Sequence, residues 1–194
     1  MKTVGGYDFV IQTWIKQEQS SAHTPKVYRG MQDYSGTRMF FEGTTIYSYH
    51  DWWPAARILP GKKALLTRNV FSATTTAHTN QIESALLRAD YKVFPVYSAA
   101  NKPDPSFLLE RFRNEFESAK RARDRLAWEH VGLHSLKRAR LAYLEFCREF
   151  GFPVEFDLTK EDWKALAQRV KLYYDRRQAK QFAKKLLHGK ECYA

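Results

Sequence analysis

Cysteine is scarce in this chain. Two thiols in 194 residues cannot hold together a protein of this size, and one of them, Cys192, sits in the C-terminal tail. The expectation is a reducing, cytoplasmic compartment rather than a disulfide-built scaffold. Long apolar runs are also missing: no stretch of about 18 such residues occurs, which excludes a helical membrane span. Met1 to Asp8 lacks the roughly 7–15-residue apolar segment of a secretory signal. No phosphate loop, no GxGxxG and no nucleophile elbow is present. Glu129, His130 and His134 place two histidines four apart, but Gly132 intervenes and the HExxH order is absent, so no metal site is expected. No carboxylate cluster has metal-ligand spacing either. No catalytic set and no cofactor are therefore assigned.

What the chain does have is positive charge and aromatic surface. It carries 32 Lys and Arg against 21 Asp and Glu, a net charge of +11, with 44% hydrophobic and 15% aromatic residues. That apolar content is enough to bury a core, and it excludes wholesale disorder. Both halves of the chain are basic, residues 101–194 more so. A surplus of this sign draws a protein towards polyanions.

The hydrophobic period changes near residue 100. Before it, the pattern predicts mainly strands. Tyr7–Ile15 is rich in aromatic and β-branched residues. Lys26–Met31 and Thr37–Phe41 flank a turn-like Asp33-Tyr34-Ser35-Gly36 and suggest a hairpin. Thr45–Tyr49 alternates, and Ala55–Leu59 and Lys63–Thr67 are separated by Pro60-Gly61, the strongest turn signal here. A helix is expected over about Thr76–Ala89, followed by a strand at Tyr91–Tyr97 that Pro95 would place at a sheet edge. After Ser98–Pro103 the period becomes helical. Asp104-Pro105 opens one helix, which Gly132 should kink or end. A second runs from about Leu133 to Phe150 and stops at Gly151. The third follows a capping box at Thr159–Asp162 and reaches about His188. The expected fold class is α+β: residues 1–100 as a small antiparallel sheet with one short helix, residues 101–194 as a three-helix segment.

Three groups of side chains are candidates for binding. At 100° per residue, Arg169, Arg176, Lys180 and Lys184 share one face of the last helix, with Arg177 at its edge. Such a row suits a phosphate backbone. Lys120, Arg121, Arg123 and Arg125 form another basic cluster, in which Glu117 and Asp124 are interleaved for intrahelical pairing. Tyr47, Tyr49, Trp52 and Trp53 would stack unpaired bases if exposed, with Lys62, Lys63 and Arg68 close by in sequence. The hydroxyls of Ser72, Thr74 and Thr75 beside His78 read as a helix N-cap, and equally as a small anion site.

Residues 44–49 (TTIYSY), Pro54-Ala55-Ala56 and residues 71–80 (FSATTTAHTN) resemble a family of small phage and prokaryotic proteins of unknown function. Its pattern is a YSY-like strand followed by YSxTTSxH. The resemblance covers about residues 42–88. Phe71 stands in place of Tyr and Thr76 in place of Ser, and Trp52-Trp53 replaces a smaller polar residue. The family assigns no activity and implies a phage or mobile-element setting. Taken together, the residues lead to the expectation of a non-catalytic nucleic-acid-binding protein, with single-stranded RNA or DNA favoured as partner. The competing expectation is a protein–protein effector, such as a phage inhibitor of a host defence complex, with a host protein as partner.

Overall fold

A computed structural model of the chain describes residues 3–24, 26–27, 36–37, 39–48, 53–69, 72–121, 126–169 and 175–176. The chain divides into two compact units, Met1–Leu108 and Leu109–Ala194, close to the boundary that the change of period marks.

The first unit is built on a seven-stranded sheet. In chain order its strands are β1 (Thr3–Val4), β2 (Ser21–His23), β5 (Met39–Glu42), β6 (Thr45–Ser48), β7 (Pro54–Leu59), β8 (Lys63–Thr67) and β9 (Lys92–Val96), and they are neighbours in that order. A separate ribbon pairs β3 (Lys26–Val27) with β4 (Gly36–Thr37), at the place where a hairpin is expected. The β5–β8 meander is antiparallel, but β1 runs parallel to β2 and β8 parallel to β9. The sheet is therefore mixed, not purely antiparallel.

Each parallel pair needs a crossover, and a helix supplies it. The first, α1 (Tyr7–Lys16), replaces the strand expected there. Its β-branched and aromatic residues favour a strand locally, yet Val10, Ile11, Trp14 and Ile15 are buried together, the one-sided stripe of a helix. Tertiary burial overrides propensity here. The second crossover, α2 (Ala73–Arg88), starts three residues earlier than expected because Ser72 is the cap. Helices α1 and α2 pack on each other and on one face of the sheet. Ala22, Phe41, Ile46, Ala56 and Leu66 are cross-strand partners on that face, and all lie in the buried core with Trp14, Ile82 and Leu86. Strand β9 sits at the sheet edge and carries Pro95, as its missing N–H requires.

The second unit is helical. Helix α3 (Ser106–Arg121) begins at Asp104, whose carboxylate accepts from the Ser106 N–H at 2.9 Å. Helix α4 (Leu126–Phe150) passes through Gly132 without ending there, since one glycine costs only about 1 kcal/mol inside a long helix. It stops at Gly151, where φ is +71°. The Phe152 N–H returns to the Cys147 carbonyl at 2.9 Å, and the Phe152 ring meets Phe146. That is a Schellman closure with its hydrophobic contact. A third helix covers residues 160–169. Thr159 and Asp162 cap it reciprocally, the Asp162 N–H reaching Thr159 Oγ1 at 3.1 Å and the Thr159 N–H reaching Asp162 Oδ2 at 2.9 Å. The expected continuation to His188 lies outside the described residues, apart from a helical turn at 175–176. Phe112, Leu136, Tyr143, Phe146 and Leu166 are buried, and Phe156 packs its ring on Phe112 and Phe116.

Arg140 and Asp157 form a two-pronged ion pair in this unit. The hydrogen bond from Arg140 holds the Asp157 carboxyl below its ordinary value. A depressed folded-state value means that the pair stabilises the fold above the ordinary aspartate range. That stability is lost as pH falls through the lowered value. Both side chains are partly exposed, so the contribution is screened. Asp157→Asn should lower the thermal midpoint at neutral pH and flatten the acid branch of a midpoint-versus-pH curve below about pH 4. An unchanged acid branch would show that the pair does not contribute.

Candidate nucleic-acid interface

The face of the sheet opposite α1 and α2 carries both cations and aromatic rings. Side chains alternate along a strand, so the partners of the core residues fix what this second face carries. One cross-strand row runs His23, Phe40, Tyr47 over β2, β5 and β6. The next runs Glu42, Thr45, Arg57, Leu65, Phe94, and a third, nearer the β7–β8 turn, runs Leu59, Lys63, Lys92.

Two features stand out on it. Phe40 and Tyr47 are half-buried and stacked, with centroids 4.8 Å apart and ring planes 7° from parallel. That separation is the spacing of adjacent strands, so each ring covers one side of the other. At the far end Lys63 and Lys92 are opposed directly on parallel strands, and Lys62 precedes Lys63 in the turn. Lys62 holds the C-terminal end of α2 through the Ala89 carbonyl at 3.3 Å, and the Lys92 ammonium lies over the Phe94 ring at 5.3 Å. Between these features Arg57 donates to the Ala100 carbonyl at 3.1 Å and to that of Asn101, fastening the 100–101 segment to the sheet. Leu65 and Phe94 are buried.

The residues expected from sequence are distributed unevenly. Lys63 is opposed to Lys92, which sequence reasoning missed because it is 29 residues further along the chain, whereas Lys62 is engaged at the Ala89 carbonyl. Arg68 is engaged elsewhere, in an ion pair with Glu83. Tyr47 lies on the second face, but its stacking partner Phe40 was also missed. Trp53 corrects the aromatic expectation: it is 8% exposed and its indole donates to the Asn69 carbonyl at 3.2 Å, so this ring is core. Tyr49 and Trp52 lie outside the described residues. On the last helix, Arg169 donates to the Lys120 carbonyl at the end of α3, a structural task that suits a cation at a helix C-terminus. Arg176 is exposed; Arg177, Lys180 and Lys184 are outside the described residues.

Ser72, Thr74, Thr75 and His78 open α2. Ser72 Oγ accepts from the Thr75 N–H at 3.2 Å, and Thr75 Oγ1 accepts from the Ser72 N–H at 3.0 Å. These reciprocal bonds are a capping box. Ser72 and Thr74 are exposed, whereas His78 is 3% exposed and hydrogen-bonded through Nδ1 to Ser48 Oγ at 2.7 Å, with the Tyr7 ring against it at 4.8 Å. The histidine faces the layer between sheet and helices, so these four residues do not converge on one open point.

The second unit adds its own cations. On α4, Lys137, Arg138 and Arg148 are exposed beside Leu141. At 100° per residue Lys137 and Arg148 fall roughly 20° apart, about 16 Å along the axis. In the middle cluster Lys120 pairs with Glu117 at 2.7 Å, as the interleaved carboxylates suggest; Arg123 and Arg125 are outside the described residues. Among the described residues no group of three His, Cys, Asp or Glu side chains is placed to hold a metal. No described helix is long and apolar enough to cross a membrane.

No family model, curated protein or solved structure matches the chain.

Ser48→Ala should separate the structural role of the α2 entrance from binding. The His78 ring would lose its hydrogen bond to Ser48 in a buried place, at a cost of about 0.5–1.5 kcal/mol. A lower urea midpoint with unchanged affinity for nucleic acid is the expected outcome. Loss of affinity at full stability would instead make this segment part of the interface.

Proposed function

We propose that this protein binds nucleic acid without acting on it chemically, chiefly through phosphate contacts that do not depend on base sequence. The observation that carries the reading is the opposition of Lys63 and Lys92 on neighbouring strands. A phosphate held near these two ammonium groups would release condensed counterions. The net charge of +11 and the exposed Lys137, Arg138 and Arg148 on α4 support the same class of partner. The resemblance carried by residues 42–88 supports a phage or mobile-element setting.

The test is fluorescence anisotropy with labelled oligonucleotides, titrated from low to high salt. The wild-type protein should bind at low salt, with affinity falling steeply as salt rises. The double change Lys63→Ala, Lys92→Ala should lower the slope of log affinity against log salt by roughly 1–2, one for each phosphate no longer neutralised. Arg68→Ala, removing a guanidinium already held by Glu83, should leave the slope unchanged. Absence of binding at low salt, or an unaltered slope in the double variant, would overturn the reading. Stoichiometric, nuclease-resistant capture of a purified host protein by wild type in that case would favour the effector reading.

A further inference from the structure

We infer that the Phe40–Tyr47 stack on the second face of the sheet is a seat for an unpaired base, which makes the ligand single-stranded nucleic acid rather than duplex. This rests on the nucleic-acid reading above and narrows it. Three observations lead there. The two rings are parallel and at stacking distance, so a third aromatic plane continues an existing stack and meets an ordered surface. Both rings are half-buried, held in place by adjacent strands yet still in contact with solvent. The lysines on the same face lie at the opposite corner of the sheet: two strands across and five residues along, on the order of 20 Å away. A strand of nucleic acid can place phosphates at Lys63 and Lys92 and a base at Tyr47 only if its bases are free to turn out of the helix. In a duplex those bases are paired and stacked, and only the backbone is presented.

Every base has a π face, so this seat tolerates sequence. It also works with ribose or deoxyribose, and the experiment separates the two. Anisotropy is measured with a short uridine RNA, a thymidine DNA of equal length and a DNA duplex, using the full chain and the double variant Phe40→Leu, Tyr47→Leu. Leucine keeps an apolar side chain on each strand and removes both π faces. The expected result is a roughly 5- to 150-fold loss for the single strands, with duplex affinity and the salt slope unchanged. The conservative pair Phe40→Tyr, Tyr47→Phe should retain wild-type affinity. Preference for RNA or for DNA in the wild-type protein identifies which strand is taken.

Photocrosslinking of the wild-type protein to a bromouridine- or bromodeoxyuridine-substituted strand gives a readout that does not depend on the variant folding. Peptides carrying the crosslink should contain Phe40 or Tyr47. Equal losses for duplex and single strand, no loss at all, or crosslinks confined to other segments would overturn the inference. Those outcomes leave the phosphate reading intact, provided wild type still binds with a steep salt slope. Wild type that binds nothing at low salt overturns both.

Discussion

Handedness decides on which face of the sheet the two crossover helices pack. Strand-to-parallel-strand crossovers are right-handed in about 98% of proteins. Here β1 to β2 and β8 to β9 step in the same lateral direction across the sheet. Following the antiparallel pairings from β2 through β8 shows that the two parallel pairs also point the same way. Right-handed crossovers at both ends must then deliver α1 and α2 to one side, where they meet. The core forms on that side, and every second residue of the meander is left for the other. Phe40, Tyr47, Arg57, Lys63 and Lys92 are together because of this rule, not because of any local motif.

The range over which each signal acts separates what could be read from the chain from what could not. Strands β5 to β9, helix α2, the start of α3 and the end of α4 follow from alternation, turn residues and caps, which act over a few residues. The division between α3 and α4 does not, since it was expected at Gly132 and α4 already begins at Leu126. Pro60-Gly61 does mark the β7–β8 turn, and Thr159 with Asp162 does cap the helix over 160–169. Helix α1 was hidden because its composition favours a strand while its burial favours a helix, and burial is a tertiary fact. The parallel ends of the sheet were hidden for the same reason. Half of the candidate site was legible: Lys63 by its place beside the Pro60-Gly61 turn, Tyr47 by its place in an alternating strand. Phe40 could have been found from the two-residue turn Gly43-Thr44, in which Gly43 takes φ +53°. With glycine first in the turn, as type II′ hairpins require, Glu42 pairs with Thr45 and Phe40 with Tyr47. Lys92 had no such local signal, since only the pairing of β8 with β9 brings it to Lys63.

Charge alone overstates the accessible positive surface. Among the described residues Arg57, Arg68, Arg140 and Arg169 all bind acceptors within the protein: backbone carbonyls for two of them, carboxylates for the others. The planar guanidinium, with several donors in a fixed fork, suits such tasks. Lys137, Arg138 and Arg148 point to solvent on α4, and the opposed Lys63 and Lys92 concentrate charge on the sheet. A basic chain thus divides its cations between holding loops and helix ends in place and shaping an outward potential. Arg68 and Arg140 are offset by their carboxylates, whereas Arg57 and Arg169 keep their charge but have their donors committed to carbonyls.

The borders of the sheet bear on how the protein behaves when crowded. An open sheet ends in strands whose outer N–H and C=O groups can pair with another chain, and long flat borders template aggregation. One border here is β1, only two residues long. The other is β9, where the Pro95 ring stands in place of one donor. A visiting strand finds too short a ladder on one side and an interrupted one on the other. Blunted borders therefore favour separate molecules over fusion into one continuous sheet when copies are close together.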